Sequence, residues 1–166
     1  MKLPYSEGSV FLVPLRSSGY GRGIVARAAP RGRVLFGYFF GPRLESPEAA
    51  GIEDIDPRKA VLRIRFGDLG LINGEWKLLG DVPNWNPTEW PMPEFGSLDP
   101  LTGKAWVARY CDTDPVREES RHQVDPSYVS DLPMDGLFGY GAAEIKLTHV
   151  LDGGDREPKV SKRSQS

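Results

Sequence analysis

Histidine, cysteine and clustered acids are the residues through which this chain would do chemistry, and they are sparse. His122 and His149 stand 27 residues apart in unlike contexts, and Cys111 is the single cysteine. No HExxH, CxxC, GxSxG or P-loop spacing occurs, so the usual arrangements for metal ligation, nucleophile activation or phosphate binding are missing. His149 follows an apolar stretch and Cys111 closes a strand-like run, KAWVARYC. Packing explains a small buried thiol in such a place better than reactivity does. A reactive thiol needs a lowered pKa, and the local sequence offers Cys111 no cationic cluster beyond Arg109. The sequence therefore assigns no catalytic residue, no metal ligand and no cofactor.

Three other groupings suit binding. The net charge of −2 hides an asymmetry: residues 1–43 carry a balance of +6, and the remainder sums to −8. Residues 112–135 alone contribute −5, with Asp112, Asp114, Glu118 and Glu119 close together. Polarised charge steers an oppositely charged partner, although two solvated loops would look the same. The second grouping, residues 19–23 (GYGRG), with further arginines up to Arg43 and the aromatic Tyr38, Phe39 and Phe40, has the look of a nucleic-acid patch. The competing explanation is that glycines ease strand curvature while arginines solvate the outer face, and a net-negative chain lacks nonspecific nucleic-acid affinity. The third is a proline-stiffened loop at residues 81–100 containing Trp85 and Trp90. Its aromatics either anchor a partner, as interface hot spots do, or fold back over a sheet; we expect most to cover and one or two to remain for a partner.

These groupings need a scaffold, and composition restricts it. Glycine (19) and proline (15) make up a fifth of 166 residues, which disfavours a helical bundle because they cost roughly 1 and 3 kcal/mol in helix interiors. Seventeen aromatics are too many for a chain that never collapses. Residues 9–15, 20–28 and 34–40 read as an antiparallel meander, with Pro14 marking a strand end or an edge. Residues 61–67 alternate Leu62, Ile64 and Phe66 with Arg63 and Arg65. Asn73-Gly74 signals a tight turn before a short strand around residues 76–79, and residues 104–111 read as another strand. Residues 139–151 fit both a helical face and strand alternation, which periodicity alone does not separate. We expect one mainly β domain over residues 1–151, α+β remaining possible: an antiparallel, small-barrel-like (SH3-like) sheet with long loops, ending in either a C-terminal helix or a further strand. Residues 152–166 read as a disordered tail. Neither a secretory signal nor an apolar run of membrane-spanning length is present, so a cytoplasmic location and no membrane partner are expected.

In order and spacing, several segments resemble the immunity protein 26 family. Residues 8–15 (GSVFLVPL) and 19–25 (GYGRGIV) are similar to its opening hairpin, through Gly8, Phe11, Pro14, Leu15, Tyr20 and Gly21. Residues 66–72 (FGDLGLI) and 74–80 (GEWKLLG), with Asp68, Gly74 and Trp76, resemble its second block; residues 90–95 and 132–137 fit as well. Ser17-Ser18 departs from the more acidic turn expected there. The resemblance implies a bacterial protein that neutralises a cognate polymorphic toxin, typically encoded beside it, by stoichiometric binding rather than turnover. Toxins of these systems are often nucleases with basic clefts, and Asp112, Asp114, Glu118 and Glu119 would mimic phosphates there while Trp85 and Trp90 supply contact area. No nucleic acid and no small-molecule substrate are expected. The family label has also been attached to a small phosphotriesterase, so a metal-assisted hydrolase is the alternative.

Overall fold

β-Branched and aromatic residues run unbroken between glycine-permitted turns, and this is why the first three strands form. β1 (Ser9–Pro14), β2 (Tyr20–Ala28) and β3 (Val34–Leu44) pair antiparallel in sequence order in a computed structural model that describes residues 2–154. Gly19 takes φ +76° at the first turn, a conformation that costs an L side chain and suits glycine. The chain continues through β4 (Leu62–Gly67), the one-turn helix α1 (Leu69–Ile72), β5 (Leu78–Asp81), β6 (Phe95–Leu98), β7 (Ala105–Cys111), β8 (Asp114–Val124), β9 (Leu137–Phe138) and helix α2 (Tyr140–Leu151). Two sheets result, ordered β5-β1-β2-β3-β4-β9 and β6-β7-β8.

The larger sheet is buried on both faces, so its strands are apolar on both. One face packs Phe11, Val25, Phe39, Ile64 and Phe66 with Trp76 and with Ala143 and Leu147 of α2. The other packs Ile24, Phe36, Tyr38 and Phe40 against Trp90, Phe95, Ala108 and Tyr110. A helix, a six-stranded sheet and a three-stranded sheet therefore stack as three layers. The fold is mainly β, as composition predicts, but the larger sheet stays open with β5 and β9 at its edges instead of closing as a small barrel. Covering both faces with other elements supplies the burial that closure would otherwise provide.

Several local expectations change. Residues 139–151 resolve as helix: Ala143, Leu147 and Val150 are buried, while Ile145, which a strand would bury beside them, is 55% exposed. Trp76 is not in a strand; it follows α1 and the Gly74 turn (φ +82°), and its indole Nε1–H donates to Glu144 Oε2 at 2.8 Å. Glu144 also accepts from Arg16 Nε at 3.0 Å, so one buried carboxylate docks α2 onto the sheet. Asp68 is likewise structural, accepting from Tyr5 Oη at 2.7 Å and from the Arg33 backbone N–H at 2.9 Å. Of the expected C-terminal tail, residues 155–166 lie outside the described residues.

Two glycines of β2 admit large neighbours: a Cβ on Gly21 would lie 2.7 Å from Leu147, and one on Gly23 would lie 2.5 Å from the Phe11 ring. The space belongs to the helix and the aromatic stack, so overpacking should be felt there. Gly23→Ala is expected to lower stability by roughly 1–3 kcal/mol, measured by urea denaturation; an unchanged midpoint would show that the ring has room to move.

Candidate functional site

Arg22 and Arg27, which the sequence offers as a nucleic-acid patch or a solvated outer face, are neither, and Arg65 joins them on a covered face. Arg22, Arg27 and Arg65 are buried on the side of the larger sheet that receives the second sheet and the tryptophan loop. Arg27 donates to the carbonyls of Ala26 (2.7 Å), Trp90 (3.0 Å) and Pro87 (3.2 Å), and to the carbonyl and the carboxylate of Asp112 (2.7 and 3.1 Å). Arg22 grips Asp54 with both Nη atoms at 2.7 and 3.2 Å and donates to the Gly51 carbonyl at 2.7 Å, tying down the 45–60 excursion. Its charge holds the Asp54 carboxyl below the ordinary value, chiefly through the hydrogen bonds.

Arg65 begins a network that runs from the core to the surface. Its guanidinium lies 4.0 Å from the Tyr110 ring centroid and donates to Tyr110 Oη at 2.9 Å and to Asp135 at 3.3 Å. Tyr110 Oη donates to Asp135 Oδ1 at 2.7 Å, and Asp135 Oδ2 accepts from Arg121, which also pairs with Glu118 at 2.6 Å. Burial, then the hydrogen bond to Asp135, push the Tyr110 phenol from 10.0 up to about 12 against the nearby positive charges. Another buried phenol, Tyr5, is raised too, by burial and Asp68.

A groove of about 390 Å³ opens beside this network, lined by Met92, Pro93, Glu94, Arg109, Tyr110, Asp112, Glu119 and Ser120. Antiparallel pairing of β6 with β7 sets Phe95 opposite Ala108 and so brings Glu94 near Arg109, 3.8 Å away. A register slip between Arg109 and Tyr110, which pair with Ser120 and Glu118 respectively, leaves Glu119 as an extra residue. That bulge re-aims the strand: Glu119 and Ser120 both line the groove, whereas Glu118 turns to Arg121.

Of the four acids singled out from sequence, the structure thus brings Asp112 and Glu119 together. Glu118 belongs to the Arg65–Tyr110–Asp135 network, and Asp114 Oδ1 caps its own turn by accepting from the Val116 N–H at 3.0 Å. The tryptophans also separate. Trp90 is 2% exposed and packs edge-on against Tyr38 and Phe40, so it is core and not a contact residue. Trp85 is half-buried, tilted against Trp90 with ring centroids 5.9 Å apart and lying over Gly8. Glu94, Arg109, Tyr110 and Ser120 were missed; the pairing that gathers them is long-range, and the one local sign was Glu94 at the threshold of a strand. Tyr128, exposed on the rim, donates to Glu94 Oε1 at 2.9 Å.

Cys111 lies at the end of β7. Hydrogen bonds with Thr113 and the guanidinium of Arg117, 3.1 Å from Sγ, hold its thiol below the ordinary value; the cation is Arg117, not Arg109. Among the described residues, no group of three or more His, Cys, Asp or Glu is placed to hold a metal ion. Nor is any helix among them long and apolar enough to cross a membrane. The arrangement suits recognition of a cation by carboxylates beside an apolar and aromatic wall.

The family model described as Immunity protein 26 matches residues 6–107, more than half of the chain. That span holds Glu94 and all strands up to β7, while Asp112 and Glu119 follow it. No curated protein and no solved structure matches the chain.

The raised Tyr110 value makes a pH prediction. The folded state holds this proton up to about pH 12 and the unfolded chain only to about 10.0, so this contribution is complete below the lower value and is lost as pH rises through the interval. Tyr110→Phe should cost roughly 1–2 kcal/mol at neutral pH by removing the Oη hydrogen bonds. It should also flatten the alkaline fall in stability, leaving the parts due to Tyr5 and Tyr128; thermal denaturation across that range would show both.

Proposed function

The chain belongs to the immunity protein 26 family, and we propose that it neutralises a cognate polymorphic toxin by stoichiometric binding through the β7–β8 groove. The carrying observation is the convergence of Glu94, Asp112 and Glu119 on one concave surface with a single arginine among its lining residues. A groove of that charge attracts a basic surface, and the cleft of a nuclease is one. Met92, Pro93 and Tyr110 supply apolar area, and the half-buried Trp85, outside the groove lining, is a further candidate contact. Interfaces of this kind draw specificity and association rate from charge and adhesion from buried aromatic area. The protein would act in the cytoplasm, where such a toxin must be captured before it reaches its substrate.

The acids differ in what they do at rest. Asp112 holds Arg27, and Glu118 holds Arg121, so reversing either would disturb the scaffold. Glu119 is approached by Arg117 at 4.0 Å and is the cleaner probe.

Glu119→Lys combined with Glu94→Lys should keep the fold, read by circular dichroism. The pair should slow association with the cognate toxin by roughly tenfold or more and weaken its salt dependence, as loss of electrostatic steering does. Unchanged affinity and salt response would overturn the groove as the binding surface. Chelator-sensitive turnover of an organophosphate ester by the purified protein would overturn the binding reading in favour of a hydrolase.

A further inference from the structure

The two edges of the smaller sheet are treated differently. The outer side of β6 is occupied: Gly96 N–H donates to the Pro133 carbonyl at 2.9 Å, and Asp135 N–H donates to the Gly96 carbonyl at 2.8 Å. β8 is terminal in the sheet order, and among the described residues its outer edge has no backbone partner. It is 11 residues long, longer than most strands, and every residue from 116 to 123 is exposed. Open edges of this length are a liability that proteins cover or blunt with charge, and this one carries mixed charge: Arg117, Glu118, Glu119 and Arg121.

We propose that the open edge of β8 is a strand-docking site, and that its occupant is an extended, basic segment of the toxin that joins the smaller sheet as a fourth strand. This rests on the binding function proposed above and specifies its mode. In strand addition, main-chain hydrogen bonds supply affinity, and pockets for alternate side chains supply specificity. Both parts lie side by side here. The bulge that leaves Glu119 unpaired with β7 aims it into the groove, so the pocket opens at the open edge itself. A lysine or arginine on the incoming strand would enter among Glu94, Asp112 and Glu119, where Asp112 and Glu94 already have partners and Glu119 has the weakest. On the opposite face, Arg121 is fully engaged by Glu118 and Asp135, so the basic strand meets a neutralised cation there.

The test is amide hydrogen exchange by mass spectrometry on the full chain, alone and with an inactive variant of the toxin domain encoded beside it. Protection confined to residues 116–123 and slowed roughly tenfold or more in the complex supports strand addition, as does loss of that protection with Glu119→Arg. Toxin binding with β8 left unprotected overturns strand addition while leaving the proposed function standing. Failure of the toxin to bind at all removes both. Protection of residues 116–123 in the free protein that grows with its concentration, alongside a doubled mass, assigns the edge to a second copy of this chain and overturns the proposal.

Discussion

Burying a guanidinium is tolerable only when its N–H groups are met by acceptors, because an ion stripped of water and left unpaired costs several kcal/mol. Three of them lie on one covered face of the larger sheet, and most of their acceptors come from segments outside that sheet. Arg27 draws carbonyls from the tryptophan loop and from the β7–β8 turn. Arg22 draws the 41–60 excursion inward, and Arg65 reaches from β4 across to Pro115, Tyr110 and Asp135. Each side chain fixes distant pieces of backbone, and the position of the smaller sheet follows from satisfying two of these charges, Arg27 and Arg65, as well as from apolar area. Arg22 and Arg65 each retain one Nε–H without a partner; their ties are incomplete where that of Arg27 is full.

The opposite face of the large sheet solves a different problem. Phe11, Phe39, Phe66 and Trp76 pack with ring centroids 5.2–6.2 Å apart, and glycines in β2 leave the rings and α2 room to approach. Trp76 brings a polar N–H into this layer, and Glu144 satisfies it from the helix. A buried carboxylate then needs its own counterpart, which Arg16 supplies. The residues carrying the family pattern, Phe11, Gly21, Asp68, Gly74 and Trp76, are thereby accounted for by packing and turns, and the candidate binding surface is built elsewhere.

That separation has a physical logic. The groove and the open edge belong to the smaller sheet, whose outer strand is exposed along most of its length and can change its side chains without touching the core. The larger sheet cannot, since both of its faces are filled. A binding surface there would be held by β7, by Arg27 through Asp112, and by the Arg65–Tyr110–Asp135 network, while an exposed acid on β8 can stay largely free of structural duty. Glu119 is the clearest case, and Glu118, one residue earlier, is the opposite.

The meander of β1 to β3, the alternation in β4, the strand at β7 and the absence of a metal or nucleophile motif were legible in the sequence, because period and turn chemistry are local. So was the covering role of most of the tryptophan loop. The helix at α2 was not, since Ala143, Leu147 and Val150 fit a helical face while Ala143, Ile145 and Leu147 fit a strand, until the sheet beneath decides which residues are buried. Arg22 and Arg27 read as solvated, and Arg65 only as opposite an apolar face, because alternation says no more than which residues share a face; the segments that cover that face are distant in sequence. Sequence alone therefore determined the class of fold, the polarity of charge and the candidate acids. Only the tertiary structure decided which acids meet, because a one-residue slip between β7 and β8 sends Glu119 to the groove and Glu118 to an arginine, and a slip of register leaves no mark on composition.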